Sequence, residues 1–187
     1  MKEKIARSMA VYCGHQLGNN PQYAADAARL GGLLAENKIK LVFGGGKVGL
    51  MGEVAKAVLA GGGEVVSVTT PNVLALQEPV IEGAETEIKE TLLERKARMI
   101  ELADASCILP GGMGTLNELT DILTMHQIRE SHQPLYFLNT DGYWDAFGKM
   151  LKLMIKDGFV KDQAEYNMQI FTAPEEIIAS YNSRFFA

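Results

Sequence analysis

Along the chain, short apolar runs alternate with longer stretches in which apolar residues recur every three or four positions. The runs Ser8–Cys13, Ile39–Phe43, Glu64–Thr69, Ala105–Leu109 and Pro134–Leu138 predict strands buried on both faces of a parallel sheet. Ala84–Ile88 is more polar and predicts a less buried strand. Helical periodicity spans Pro21–Asn37, Val48–Ala60, Thr91–Ala103, Leu116–Ile128 and Tyr143–Lys156, and a last helix runs from about Pro174 to Phe185. Asn20-Pro21 marks a helix start, because Asn accepts from free amides and proline suits the first helical position. Gly61-Gly62-Gly63 marks a stop. Asp157–Phe171 has no clear period and predicts a loop with a short helical turn.

This alternation means βαβ units with right-handed crossovers, hence an α/β doubly wound parallel sheet with helices on both faces. No repeat, low-complexity tract or linker divides residues 1–187, so one domain is expected. A net charge of −5 argues against non-specific nucleic-acid binding, which needs a dense basic surface. No apolar run reaches the roughly 20 residues of a membrane helix. Met1–Ser8 lacks the apolar core of an export signal, so a cytoplasmic protein with no membrane partner is expected. Cys13 and Cys107 each end a buried run and read as reduced, packed thiols.

Unusual residues cluster after the strands: Cys13-Gly14-His15-Gln16, Gly44-Gly45-Gly46-Lys47-Val48-Gly49, Thr69-Thr70-Pro71-Asn72 and Pro110-Gly111-Gly112-Met113-Gly114-Thr115. In a doubly wound sheet those loops share one edge, where ligands bind. Glycine lets several backbone N–H groups approach a phosphate, and a following helix adds its positive end. Gly44-x-Gly46-x-x-Gly49 matches the dinucleotide fingerprint, but the next strand ends Val68-Thr69-Thr70, without the acidic residue a ribose needs. Lys47-Val48 is no P-loop. A bound nucleoside monophosphate on the Pro110–Thr115 turn is the better expectation.

Thr91/Glu94 and Thr115/Glu118 both have capping-box spacing. Glu118, inside a glycine-rich turn, could also hold a ribose or steady charge at an anomeric carbon, and the helix dipole would favour its ionised form. Arg95 could fork to the phosphate or belong to a solvated basic face with Lys96 and Arg98. His15, His126 and His132 have no metal-ligand spacing, so no metal is expected. His126 and Met125 read as core or subunit interface.

Gly44–Gly52, Glu94-Arg95-Lys96-Ala97 and Pro110–Glu118 resemble, in order and spacing, the Lonely Guy (LOG) family of cytokinin riboside 5′-monophosphate phosphoribohydrolases, long labelled "lysine decarboxylase-like". The resemblance covers about Ala10 to Ile178. It implies a Rossmann-like fold, a homodimer with composite sites, no cofactor, and hydrolysis of a cytokinin or adenine nucleotide to free base and ribose 5-phosphate. It further implies Arg95 and Glu118 as the catalytic pair. Gly14, Gly44, Gly45, Gly46, Glu78, Lys96, Gly111, Gly112, Met113, Gly114, Thr115 and Thr124 fall at substrate-binding positions. Two departures mark this chain: His15-Gln16 where relatives read Ser-Ser, and Leu92-Leu93 where they read Met-His. The first makes a nucleotide-binding module without turnover the alternative. Lys47 and Lys96 read as anion contacts, not as a pyridoxal Schiff-base lysine.

Overall fold

The computed structural model describes residues 7–76 and 81–186. Strands β1 (Ser8–Tyr12), β2 (Lys40–Phe43) and β3 (Val65–Thr69) alternate with helices α1 (Pro21–Glu36), α2 (Gly49–Ala60) and α3 (Pro71–Leu76). There follow β4 (Glu85–Ile88), α4 (Leu92–Glu101), β5 (Ala105–Ile108), α5 (Met113–Gln127), β6 (Leu135–Leu138), α6 (Asp145–Lys156), β7 (Met168–Phe171) and α7 (Pro174–Phe186). All seven strands are parallel, in the order β4-β3-β2-β1-β5-β6-β7. This is the expected doubly wound, Rossmann-like α/β sheet, with its switch point between β1 and β5.

Period-two alternation in the strands splits the core into two layers. Met9, Val11 and Cys13 face α1, α2 and α7 through Leu30, Leu34, Val54 and Ile177. Ala10 and Tyr12 face the other way, against Met99 of α4, Leu119 of α5 and Leu151 of α6. Cys13 and Cys107 are free, buried thiols, as expected. Asn20 accepts from the Gln22 amide with Pro21 behind it, and Thr91 and Glu94 complete their capping box.

Three expectations change. Asp157–Phe171 is not a loop throughout: its last four residues form edge strand β7, held by β6. Its half-exposed, non-periodic sequence hides this, because an edge strand need bury little. The chain after β3 forms α3, where Thr70 Oγ1 accepts from the Val73 amide. Finally, α5 begins at Met113, three residues early, which moves Glu118 into its second turn. Among the described residues, no helix is long and apolar enough to cross a membrane.

Adjacent glycines of α1 separate packing from propensity. A Cβ on Gly31 would collide with Val54 O of α2, whereas one on Gly32 meets nothing within 4 Å. Gly31→Ala is expected to destabilise the fold by about 1–3 kcal/mol, and Gly32→Ala to stabilise it by roughly 0.5–1 kcal/mol. Urea denaturation of the two variants checks the opposite signs.

Candidate functional site

The loops after the strands meet at the β1–β5 switch point, and backbone hydrogen bonds stitch them together. The Gly14 amide donates to Pro110 O at 3.0 Å, while Gly14 O accepts from the Leu50 amide at 3.0 Å and the Met51 amide at 3.4 Å. A Cβ on Gly111 would collide with Thr115 Oγ1, so the turn closes tightly on its own helix. Tyr143, which follows β6 and was not singled out from the sequence, donates its phenol to Gly111 O at 2.5 Å. It also meets Tyr23 edge to face, with centroids 5.6 Å apart. Between these rings and the turn lies a cavity of about 210 Å³, rimmed by His15 and Gln16.

The two glycine-rich turns offer a ligand very different surfaces. Gly44, Gly45 and Gly46 are buried, and the first amides of α2 are already taken by Gly14 O. At α5, Gly112 is an N-cap without a side-chain hydrogen bond, and the helix ladder starts with the Leu116 amide on Gly112 O. The amides of Met113, Gly114 and Thr115 precede that first bond. A Cβ on Gly112 or Gly114 would meet nothing within 4 Å, and Met113 is exposed beside them. An open helix start of this kind attracts an anion through its N–H groups and dipole. Thr115, at 3% exposure, is buried in the turn and does not cap the helix with Glu118.

Glu118 turns instead to Arg95. Arg95 rises from the first turn of α4 and is 7% exposed. Its Nε donates to Val68 O at 2.9 Å, its Nη2 to Gly44 O at 3.2 Å, and its Nη1 to Glu118 Oε1 at 3.3 Å. A Cβ on Gly44 would collide with Nη2, so the first glycine of the apparent dinucleotide fingerprint makes room for an arginine. Arg95 is therefore no solvated basic residue. Three of its five N–H groups donate within the protein, which fixes the guanidinium between β3, the Gly44 turn and α5.

Burial pushes the Glu118 carboxyl up to about 7, against the pull of Arg95 and Lys96 in the opposite direction. Desolvation outweighs the nearby positive charges, and Glu118 in the second turn lies beyond the first turn, where the helix dipole acts most strongly. Lys96 Nζ is itself held by Asn117 Oδ1 at 2.8 Å and by Asp121. Thr124 is not gathered here. It is exposed farther along α5 and donates to Thr120 O at 2.8 Å. Glu78 lies outside the described residues. His126 is core, its Nδ1 donating to Tyr166 O at 2.7 Å.

A family model described as "Possible lysine decarboxylase" matches residues 51–181. The chain is 42% identical over 159 residues to the probable cytokinin riboside 5′-monophosphate phosphoribohydrolase LOGL5 of Oryza sativa subsp. japonica, covering 84% of this chain and 64% of that protein. It is 40% identical over 162 residues to the probable enzyme of the same name, LOG6, of Arabidopsis thaliana, covering 86% and 80%. The chain belongs to the Lonely Guy family. This LOG-family chain thus spans just under two thirds of the rice relative's length. Its fold is also that of the molybdenum cofactor carrier protein of Chlamydomonas reinhardtii, with a TM-score of 0.73 over 97% of this chain and 99% of that one, at 15% identity.

The Arg95 charge lowers the Glu118 pKa, so removing it must raise it. In Arg95→Met, carbon-13 NMR of labelled glutamate carboxyls is expected to show Glu118 titrating at higher pH than in the wild type. An unchanged midpoint would mean that the two groups do not interact in solution.

Proposed function

We propose that this LOG-family chain is an N-glycosidase, hydrolysing a nucleoside 5′-monophosphate to free base and ribose 5-phosphate. The observation that carries this reading is a buried Arg95–Glu118 pair beside an uncapped, anion-ready helix start. The amides of Met113, Gly114 and Thr115 hold the phosphate, and so fix the sugar. Ionised Glu118 stabilises the positive charge that grows at the anomeric carbon as the C–N bond lengthens. It also accepts a proton from the attacking water, whose oxygen bonds to that carbon. The base leaves with the bonding electrons, and the balance closes when that proton reaches it. Arg95 orients the carboxylate and keeps its pKa from climbing further. A homodimer belongs to the same reading, with exposed Thr124 serving the composite site that family resemblance implies.

A cytokinin nucleotide as substrate is supported by the relatives, which are cytokinin riboside 5′-monophosphate phosphoribohydrolases by name, and the family resemblance adds adenine nucleotides. The rim of His15 and Gln16 beside the turn favours one competing reading, binding without turnover.

Purified protein is incubated with isopentenyladenosine 5′-monophosphate, AMP and a panel of other monophosphates, and base and ribose 5-phosphate are assayed. Equimolar products are expected, with a loss on the order of 10²–10⁴-fold in Glu118→Gln. Because the carboxylate is the working form, kcat/KM should climb as pH rises through about 7 and then level. Tight calorimetric binding with no product from any nucleotide would favour the binding module, and full activity in Glu118→Gln would remove this mechanism.

A further inference from the structure

Two peptide groups, Pro110–Gly111 and Gly111–Gly112, lead into the start of α5, and each is held from a different loop. The Gly14 amide donates to Pro110 O at 3.0 Å and holds the first. The Tyr143 hydroxyl donates to Gly111 O at 2.5 Å and holds the second. That second peptide has glycine on both sides. Glycine at 111 is forced, since a Cβ there would collide with Thr115 Oγ1 and come within 2.9 Å of the Gly14 nitrogen. At 112 a Cβ would meet nothing within 4 Å, so packing restrains nothing there. A Gly-Gly peptide turns easily about its flanking bonds, because neither neighbour has a Cβ to limit it. Among the described residues, the phenol makes the only side-chain hydrogen bond to this peptide.

The phenol is itself aimed by a firm frame between β6 and α6. The Tyr143 ring meets Tyr23 of α1 and buried Trp144 edge to face, with centroids 5.6 Å and 5.1 Å away. The Tyr143 amide donates to Thr140 O at 3.1 Å, and the Trp144 amide to Asn139 Oδ1 at 2.7 Å. In a planar trans peptide the C=O and N–H groups point in opposite directions. Fixing Gly111 O on the phenol therefore fixes the Gly112 N–H away from Tyr143. That N–H has no hydrogen-bond partner among the described residues, and it directly precedes the amides of Met113, Gly114 and Thr115. Half a turn of this peptide would put a carbonyl oxygen in its place, which repels an anion.

We propose that Tyr143 is a positioning residue for the anion turn: by holding Gly111 O, it keeps the Gly112 amide facing the anion as a fourth donor beside those of Met113, Gly114 and Thr115. Consecutive amides of this kind suit the several oxygens of a phosphate. The proposal rests on the anion site of the N-glycosidase reading, and not on turnover.

The test titrates nitrogen-15-labelled protein with inorganic phosphate and with ribose 5-phosphate. It compares the wild type with Tyr143→Phe, which keeps the ring and its edge-to-face contacts. In the wild type, the Gly112 amide proton is expected to move downfield together with those of residues 113–115. In Tyr143→Phe the Gly112 shift should shrink, and both phosphates should bind about tenfold more weakly, the scale of one hydrogen bond to a charged group. Shifts caused by adenosine, which has no phosphate, should be the same in both proteins. With a nucleotide substrate, KM should rise by the same factor while kcat holds. Wild-type shifts at 113–115 with none at Gly112 overturn the proposal, as does equal phosphate affinity in the two proteins. An equal loss for adenosine and phosphate marks a general loosening of the loops and overturns it too. If neither phosphate moves any amide of the turn, the anion site itself is absent and both readings fall. The expected phosphate response without turnover of any nucleotide removes the N-glycosidase reading and leaves this one standing.

Discussion

The site depends on one buried cation. The guanidinium of Arg95 leaves α4, crosses the ends of β3 and β2, and reaches α5, tying Val68 O, Gly44 O and Glu118 into one assembly. A charge this far from water is tolerable only with its donors satisfied, and the sheet supplies two fixed carbonyls for that purpose. The glycine at position 44 follows from it, because any Cβ there would occupy the space of Nη2. Loss of one partner of a buried pair costs on the order of 3–5 kcal/mol when the other stays charged. Glu118, poised near neutrality, can instead take up a proton, so the arrangement tolerates loss of Arg95 better than its burial suggests.

The two glycine-rich turns show how similar sequences come to opposite uses. At α2 the free amides of the helix start are satisfied internally by Gly14 O. At α5 they face outward past Gly112 and Gly114. The difference arises from the topology: β1 lies between β2 and β5, and the single carbonyl of Gly14 turns towards α2 while its amide serves Pro110. Open helix-start amides are thereby left at one of the two turns, the one that the sequence also favoured.

The sheet and the converging loops were legible because buried parallel strands and their terminal glycines leave strong local signals. Edge strand β7 was not, since a half-exposed edge carries little hydrophobic pattern. Arg95 and Glu118 could be named from the resemblance, but their partners could not. The spacing of Thr115 and Glu118 suggested a cap, and only the early start of α5 turns Thr115 inward and Glu118 towards α4. Tyr143 stood outside every motif, because its contact with Gly111 joins loops 32 residues apart.

The double duty of Gly14 has a consequence for how such a site can diversify. Its amide and carbonyl fasten the first loop to both glycine-rich turns, and the backbone of His15 lies so close to Gly49 that no side chain fits there. The main chain of all three loops is thus a single splice. The side chains at positions 15 and 16 are exposed, but a residue inserted in or deleted from the first loop would drag the Pro110–Thr115 turn and the start of α2 along. New specificity on this scaffold is therefore open to substitution and closed to changes of loop length.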